Sequence, residues 1–303
     1  MRVVIVTGTE PHHKSLCTEI SKAFNVVGIM HPASTPRPVV RGRRFVRQAK
    51  TDGWPLAIMH VLGKLASRSR TCVDGLTGAS LRAAFSGGTA GYQDIPRSLI
   101  HSSCDVHDPR SWDLLRSLRP NVTLCLGGPL YPKQFIDASP LMLNYHSGVS
   151  PIYNGSDTIR FAFANGHPHL CGGTLMIMSP DVDGGALLGH YLPAIDPGDS
   201  PESLFAKTVR GAAMMYRRLL QSVERGQPAL HPIDQPKALF VTRGFQFGWY
   251  QSAMIERNLR ADIAARFQRR ETLLEYWREP DAEAAKAALH STLHSLLWDR
   301  GRA

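Results

Sequence analysis

Asn144-Tyr145-His146-Ser147-Gly148-Val149-Ser150-Pro151 and Pro180-Asp181-Val182-Asp183-Gly184-Gly185 bound the stretch that decides how this chain folds. Between them lies Gly173-Thr174-Leu175-Met176-Ile177-Met178, an apolar run with the length of a buried strand. Met142-Leu143-Asn144 reads as a second strand, with His146 just past its carboxyl end. An amide, an imidazole and a carboxylate thus stand at strand ends, where open α/β sheets place their chemistry.

The same alternation continues outward on both sides. Val3 to Thr7 is a β-branched run ending at Gly8, a helix follows from about His13 to Ala23, and Asn25-Val26-Val27-Gly28-Ile29 gives the next strand. Strand, helix and strand in close succession make a βαβ unit and predict a doubly wound sheet. Gly8-Thr9-Glu10 opens no GxGxxG, so the nicotinamide-dinucleotide fingerprint is absent. From Asp105 the rhythm resumes. Asp108 caps a helix with Pro109 in its first turn, and Trp112, Leu114, Leu115 and Leu118 form its apolar face. Val122 to Leu126 is a buried strand, Gly127-Gly128-Pro129 a sharp turn, and Pro132 to Ile136 a short helix. Further on, Ile159 to Asn165 suits a helix, Cys171 to Met178 a strand, and Ala186 to Leu192 an extended segment. Ser200 caps a helix with Ser203 in the reciprocal position, and this helix runs to about Glu224 and stops at Gly226. The fold class is therefore α/β, a doubly wound, mostly parallel sheet.

Two segments depart from this rhythm. Residues 33–104 read as a basic, partly helical insertion: Arg37, Arg41, Arg43, Arg44, Arg47 and Lys50 lead into the helix-like Trp54 to Leu62, followed by Lys64, Arg68 and Arg70. Such a segment is either a solvated cover for the sheet or a patch for anions. Ser86-Gly87-Gly88-Thr89-Ala90-Gly91 reads as a flexible loop with no P-loop Lys-Ser/Thr behind it. After Pro228 the composition shifts, and residues 252–303 are mostly Arg- and Ala-rich helix formers. The expected organisation is a catalytic domain over 1–230, carrying the insertion, and a helical C-terminal extension over 231–303.

Composition bounds the rest. The chain has 303 residues, of which 43% are hydrophobic and 20% charged, enough to bury a sizeable core. Its net charge of +10 favours anionic partners such as phosphate esters, polyglutamate tails or nucleic acid. Cys17, Cys72, Cys104, Cys125 and Cys171 form no CxxC pair and are odd in number, as expected of reduced thiols in a cytoplasmic protein. The opening Met1 to Gly8 is too short for a signal-peptide core, and no apolar run reaches the roughly 18–20 residues that span a bilayer.

As chemistry, Asn144 offers an amide donor for an oxyanion. His146, two residues along a strand, points to the same face and can move a proton. Asp183 lies in a turn followed by two glycines and either orients His146 or accepts a proton from an attacking amine. Asp181 competes for that role, and Gly184-Gly185 favour Asp183. The set contains no Ser or Cys nucleophile, which suits direct transfer between two bound substrates.

In order and spacing these pieces resemble the N10-formyltetrahydrofolate-dependent formyltransferases, the group that formylates glycinamide ribonucleotide, methionyl-tRNA and sugar amines. The resemblance rests on Asn144-Tyr145-His146-Ser147, Pro151-Ile152-Tyr153-Asn154-Gly155, Gly173-Thr174 and Val182-Asp183-Gly184-Gly185. It is supported by Gly127-Gly128-Pro129-Leu130-Tyr131-Pro132 and the Ser200-to-Gly226 helix, and it covers about residues 105–226. It implies a formyltransferase-like variant of the Rossmann fold, N10-formyltetrahydrofolate as co-substrate, and Asn144, His146 and Asp183 as the catalytic trio. It also implies a folate site at Gly127, Gly128, Leu130, Tyr131, Met178 and Asp181. The acceptor side falls at Ser147, Tyr153, Asn154 and Gly155, with Asp157 and Thr158 either lining it or capping the next helix. Gly148-Val149-Ser150 stand where the family has Ser-Leu-Leu, and Asn154 stands where it has a basic residue. Both departures fall on the acceptor side.

The function expected from residues and resemblance is formyl transfer to a primary amine of a small, anionic acceptor, for example a nucleotide-linked amino sugar or a secondary metabolite. A formyltetrahydrofolate hydrolase, a methionyl-tRNA-type transferase and a non-catalytic folate- or anion-binding protein are the alternatives. Nucleic acid is the less favoured partner, no membrane partner is expected, and a homodimer is compatible with the sequence.

Overall fold

The computed structural model describes residues 1–33, 94–226 and 230–298, and within 34–93 only residues 46, 49, 50, 53–55, 57, 58, 84, 85 and 92. The expected loop at Ser86–Gly91, most of the basic run and Cys72 lie outside the described residues. One eight-stranded sheet forms the centre, in the order β10-β8-β7-β5-β4-β1-β2-β3. Its strands are β1 (Arg2–Thr7), β2 (Asn25–Pro32), β3 (Ile100–Cys104), β4 (Val122–Leu126), β5 (Met142–His146), β7 (Gly173–Ile177), β8 (Leu187–Leu192) and β10 (Thr272–Glu275). β1 to β5 pair in parallel, and β7, β8 and β10 each run antiparallel to the neighbour before them. The doubly wound, mostly parallel sheet expected from the sequence is present.

Apolar side chains on both faces explain why the strands read as nearly continuous hydrophobic runs. Val3 and Ile5 face one core with Leu124, Leu143 and Tyr145, closed by helices α1 (Pro11–Ala23) and α5 (Pro201–Glu224). Val4 and Val6 face the other with Cys125 and Met142, beneath α2 (Pro109–Ser117) and α3 (Lys133–Ile136). Both predicted caps form: Asp108 accepts the Arg110 amide, and Ser200 and Ser203 exchange hydrogen bonds. Four cysteines, Cys17, Cys104, Cys125 and Cys171, are free and buried.

A third cluster surrounds α4 (Thr158–Ala164), where Ile159, Phe161 and Phe163 pack with Ile255 of α6 (Trp249–Arg260). The C-terminal residues carry the expected helices, α6 and α7 (Ala282–Trp298). They also carry two strands that composition did not suggest. β10 closes the main sheet against β8, and β9 (Phe240–Thr242) pairs in parallel with β6 (Tyr153–Gly155). Arg269 ties this part to the body by donating to the carbonyls of Pro193 (2.8 Å), His169 (2.6 Å) and Cys171. Among the described residues no helix is long and apolar enough to cross a membrane.

His190 on β8 is fully buried, with Nε2 2.7 Å from the Ser150 carbonyl and Nδ1 2.8 Å from the Tyr276 hydroxyl. Burial pulls its pKa from 6.5 down to about 4, against the opposing pull of the Ser150 carbonyl. The folded state therefore holds a neutral ring, whereas the unfolded chain takes up a proton below about 6.5. Stability is complete above that value and falls as the pH drops toward 4. His190 alone accounts for a loss of about 2 kcal/mol between about pH 7.5 and pH 5. Denaturant unfolding at the two values measures it, and His190→Gln flattens the dependence.

Candidate active site

The site forms at the carboxyl ends of the central strands. Asn144 and His146 lie two apart on β5, so their side chains leave the same face, as the spacing predicts. His146 is the last residue of β5, rather than lying beyond it, because the antiparallel pairing with β7 extends to Thr174. Asp183 reaches the same point from the turn between β7 and β8. Its Oδ1 lies 3.4 Å from His146 Nδ1 and 3.5 Å from Asn144 Nδ2. The three groups singled out in the sequence therefore converge on one point, at the outer edge of hydrogen-bond reach.

The surroundings of the imidazole define its proton inventory. Nε2 faces the Tyr153 carbonyl at 3.0 Å and Nδ1 faces the Asp183 carboxylate. With an acceptor on each side, a neutral ring donates to only one of them. Gly148 keeps this geometry open: a Cβ there would fall on His146 Nε2 and within 2.5 Å of the Tyr153 carbonyl. Gly148→Ala is expected to displace the ring and lower kcat about 100-fold, the scale of lost acid–base catalysis. Steady-state kinetics beside a thermal melt separates this effect from unfolding.

Asp183 is held in the left-handed region at φ +48°, where a non-glycine residue is uncommon. The Gly155 amide donates to its Oδ2 at 2.8 Å, and Asn154 Nδ2 (2.9 Å) and Gln235 Nε2 (2.6 Å) donate to its carbonyl. Gly185 has no alternative, since a Cβ there would overlap the Ile177 carbonyl. Asp181, the competing carboxylate, is exposed, and its backbone amide donates to Ser179 Oγ at 3.1 Å.

The trio opens onto a cleft of about 690 Å³. One end is lined by Gly127, Gly128, Leu130, Tyr131, Met178, Asp181 and Val182, which brings together the residues expected at the folate site. Tyr131 is buried and donates from its hydroxyl to the Gly127 carbonyl at 3.1 Å, so it forms the wall of the turn; burial drives its pKa well above 10. A Cβ on Gly128 would strike that phenol. Leu130 (57% exposed), Val182 (45%) and Val241 (50%) are large apolar side chains left open to water, and all three border this cleft. An exposed apolar rim around convergent polar groups marks a ligand site.

At the other end Ser147 and Gly155 line the cleft as expected, whereas Tyr153 and Asn154 do not. Tyr153 is turned inward, stacked on Phe240 at 4.8 Å with its hydroxyl 3.0 Å from His167, and Asn154 braces the Asp183 turn from behind. Both lie on β6, which is covered on its two faces: Tyr153 and Asn154 are buried and Gly155 is half-buried. Asp157 borders the cleft and makes no side-chain cap to α4, and the Thr158 hydroxyl donates to the Ser147 carbonyl.

Several lining residues escaped the sequence reading: His12, Phe205, Val209 and the run Val241–Phe245. His12 stands in the first turn of α1, the helix that follows β1. Burial pulls its pKa down to about 3, so it faces the cleft as a neutral ring. Its neighbour His13 bonds Thr7 Oγ1 at 2.6 Å and pairs with Glu10 at 3.2 Å, and that bond holds Glu10 down at about 2. Val241–Phe245 gave no local signal, because distant pairing of β9 with β6 brings them in.

Residues 78–220 match the model of the formyl transferase family. The chain is 26% identical over 157 residues to the methionyl-tRNA formyltransferase of Synechococcus sp. (strain JA-3-3Ab), a match that covers 50% of this chain and 48% of that protein. The methionyl-tRNA formyltransferase of Solibacter usitatus (strain Ellin6076) is 25% identical over 193 residues, covering 60% and 62%. The chain thus spans about half to three-fifths of the curated relatives it matches. The crystal structure of a 4-N formyltransferase from Francisella tularensis has the same fold, with a TM-score of 0.50 at 12% identity over 81% of this chain and 77% of that one.

Proposed function

We propose that this chain transfers a formyl group from N10-formyltetrahydrofolate to the primary amine of a small molecule. The observation that carries this reading is the meeting of Asn144, His146 and Asp183 on the wall of an open cleft. In this reading residues 1–230 form the catalytic domain, and the C-terminal residues complete its cleft.

The residues present fit the donor. The end of the cleft at Gly127–Tyr131 and Met178–Val182 offers backbone groups, a buried phenol wall and the apolar side chains of Leu130 and Val182. These are partners for a flat heterocycle whose edges carry donors and acceptors. When bound, the folate supplies an electrophilic formyl carbon on a nitrogen that leaves after protonation. Asn144 Nδ2 donates to the oxygen that gains negative charge, a contribution of roughly 3–4 kcal/mol in comparable sites. His146, oriented by Asp183, delivers a proton toward the leaving nitrogen. Asp183 takes the proton that the attacking amine sheds.

The acceptor enters from the side of Ser147, Gly155, Asp157 and Val241–Phe245. Arg243 borders this end, and with the net charge of +10 it supports an anionic acceptor such as a nucleotide-linked amino sugar or a charged secondary metabolite. A second reading, methionyl-tRNA as acceptor, is favoured by the named activity of the two curated relatives. Incubation with N10-formyltetrahydrofolate and a panel of amines, including nucleotide amino sugars and methionyl-tRNA, tests both. Amine-dependent loss of formyl-folate supports transfer. Formate release without an amine identifies a hydrolase instead, and a steep salt dependence of binding marks the polyanionic acceptor.

A further inference from the structure

The Asp183 turn has to hold an uncommon backbone conformation while presenting its carboxylate to two side chains on another strand. We propose that Gln235 is the positioning residue that fixes this turn, acting on the reaction through Asp183 without touching substrate. The inference rests on the proposed function and adds to it a residue outside the stretch matched by the family model, which ends at 220.

Both hydrogens of Gln235 Nε2 are used on the turn: one bonds the Asp183 carbonyl and the other the Gly185 carbonyl, each at 2.6 Å. The two bonds fix the turn on either side of Gly184, the residue that follows the reacting carboxylate. The same Asp183 carbonyl accepts from Asn154 Nδ2 at 2.9 Å, and that amide also faces Gln235 Oε1 at 3.4 Å. With two carbonyls in front of it, only the NH2 end of the Gln235 amide fits there.

Gln235 is in turn anchored on both sides. Two residues before it, Ile233 is buried and exchanges two backbone bonds with Leu187 at the start of β8, at 2.7 and 2.9 Å. A few residues after it, the Leu239 and Phe240 amides bond the Pro151 and Ile152 carbonyls at 2.8 and 2.9 Å, leading into β9. The segment thus runs as a strap from the β8 edge to β6, across the back of the turn. Leu187 begins the strand that the turn feeds, so the strap and the turn share one foundation. Without the strap the donor contacts on the Asp183 and Gly185 carbonyls fall from three to one, leaving the Gly155 amide and Asn154 to resist a swing of the carboxylate among the described residues. A displacement of about 1 Å at such a group costs on the order of 100-fold in rate.

Two variants test this. Gln235→Leu keeps the bulk and removes both donors, and Gln235→Glu keeps the shape but sets a carboxylate against two carbonyls. Both are expected to lower kcat about 10- to 100-fold while KM for donor and acceptor stays within about threefold. The Glu variant has a further signature. Its carboxyl, raised in pKa by its acceptor neighbours, gains a donor O–H when protonated, so its kcat relative to wild type rises as pH falls from about 8 to about 5.5. The Leu variant's ratio stays level. A lowered melting temperature with kcat within about twofold of wild type, in both variants, reduces Gln235 to a structural brace and overturns the proposal. Inactive wild-type protein would count against the formyl-transfer reading instead. The crystal structure of Gln235→Leu then decides on its own: Asp183 Oδ1 out of reach of His146 Nδ1 supports the proposal, and an unmoved turn overturns it.

Discussion

Asp183→Asn is expected to lower kcat about 1,000- to 10,000-fold while leaving the fold intact, the scale seen when an orienting carboxylate becomes an amide. The carboxylate uses both oxygens: Oδ2 takes the Gly155 amide, and Oδ1 faces His146 and Asn144. An amide has one oxygen. If it keeps the Gly155 bond, its NH2 is turned toward the Asn144 NH2 and the imidazole, and the negative charge that pairs with His146 is gone. If it flips, two N–H groups meet at Gly155. Folding is expected to survive, because asparagine adopts φ near +48° as readily as aspartate. Steady-state kinetics with a thermal melt checks both halves, and unchanged turnover in a folded variant removes Asp183 from the mechanism.

Asn144→Ala has the second-largest expected effect, a fall in kcat of about 100- to 1,000-fold with KM nearly unchanged. The amide contributes little to the ground state, since its bond to Asp183 is 3.5 Å long. Its donor is valuable only when charge develops on an oxygen beside it. Asn144→Asp is expected to be worse than Asn144→Ala, because it places a second carboxylate beside Asp183. A KM effect that exceeds the kcat effect would assign Asn144 to binding.

The sheet was legible because buried parallel strands are written as continuous apolar runs and their ends as Gly, Pro and cap residues. Val3–Thr7, Val122–Leu126 and the Ser200 capping box all follow from local rules. The trio was legible for the same reason, since Asn144 and His146 share a strand face and Asp183 sits at a turn that Gly184-Gly185 announce. What the sequence concealed depends on distant pairing. Thr272–Glu275 joins the sheet by partnering β8, which no local pattern in an Arg-rich segment signals. Val241–Phe245 reach the cleft because β9 lies beside β6, and Gln235, earlier in the same segment, reaches the back of the Asp183 turn. Tyr153 and Asn154 were placed at the acceptor side by a motif, and β6 is covered on both faces, so both side chains are buried away from the cleft.

The central claim is that one carbonyl carbon passes between two substrates held against Asn144, His146 and Asp183. Carbon-13 NMR of a reaction containing N10-formyltetrahydrofolate labelled at the formyl carbon follows that atom directly. The label is expected to leave the folate and reappear, one for one, as a formamide on the amine, in wild type and not in Asp183→Asn. Label that stays on the folate with every amine offered, or that appears only as free formate, contradicts the account.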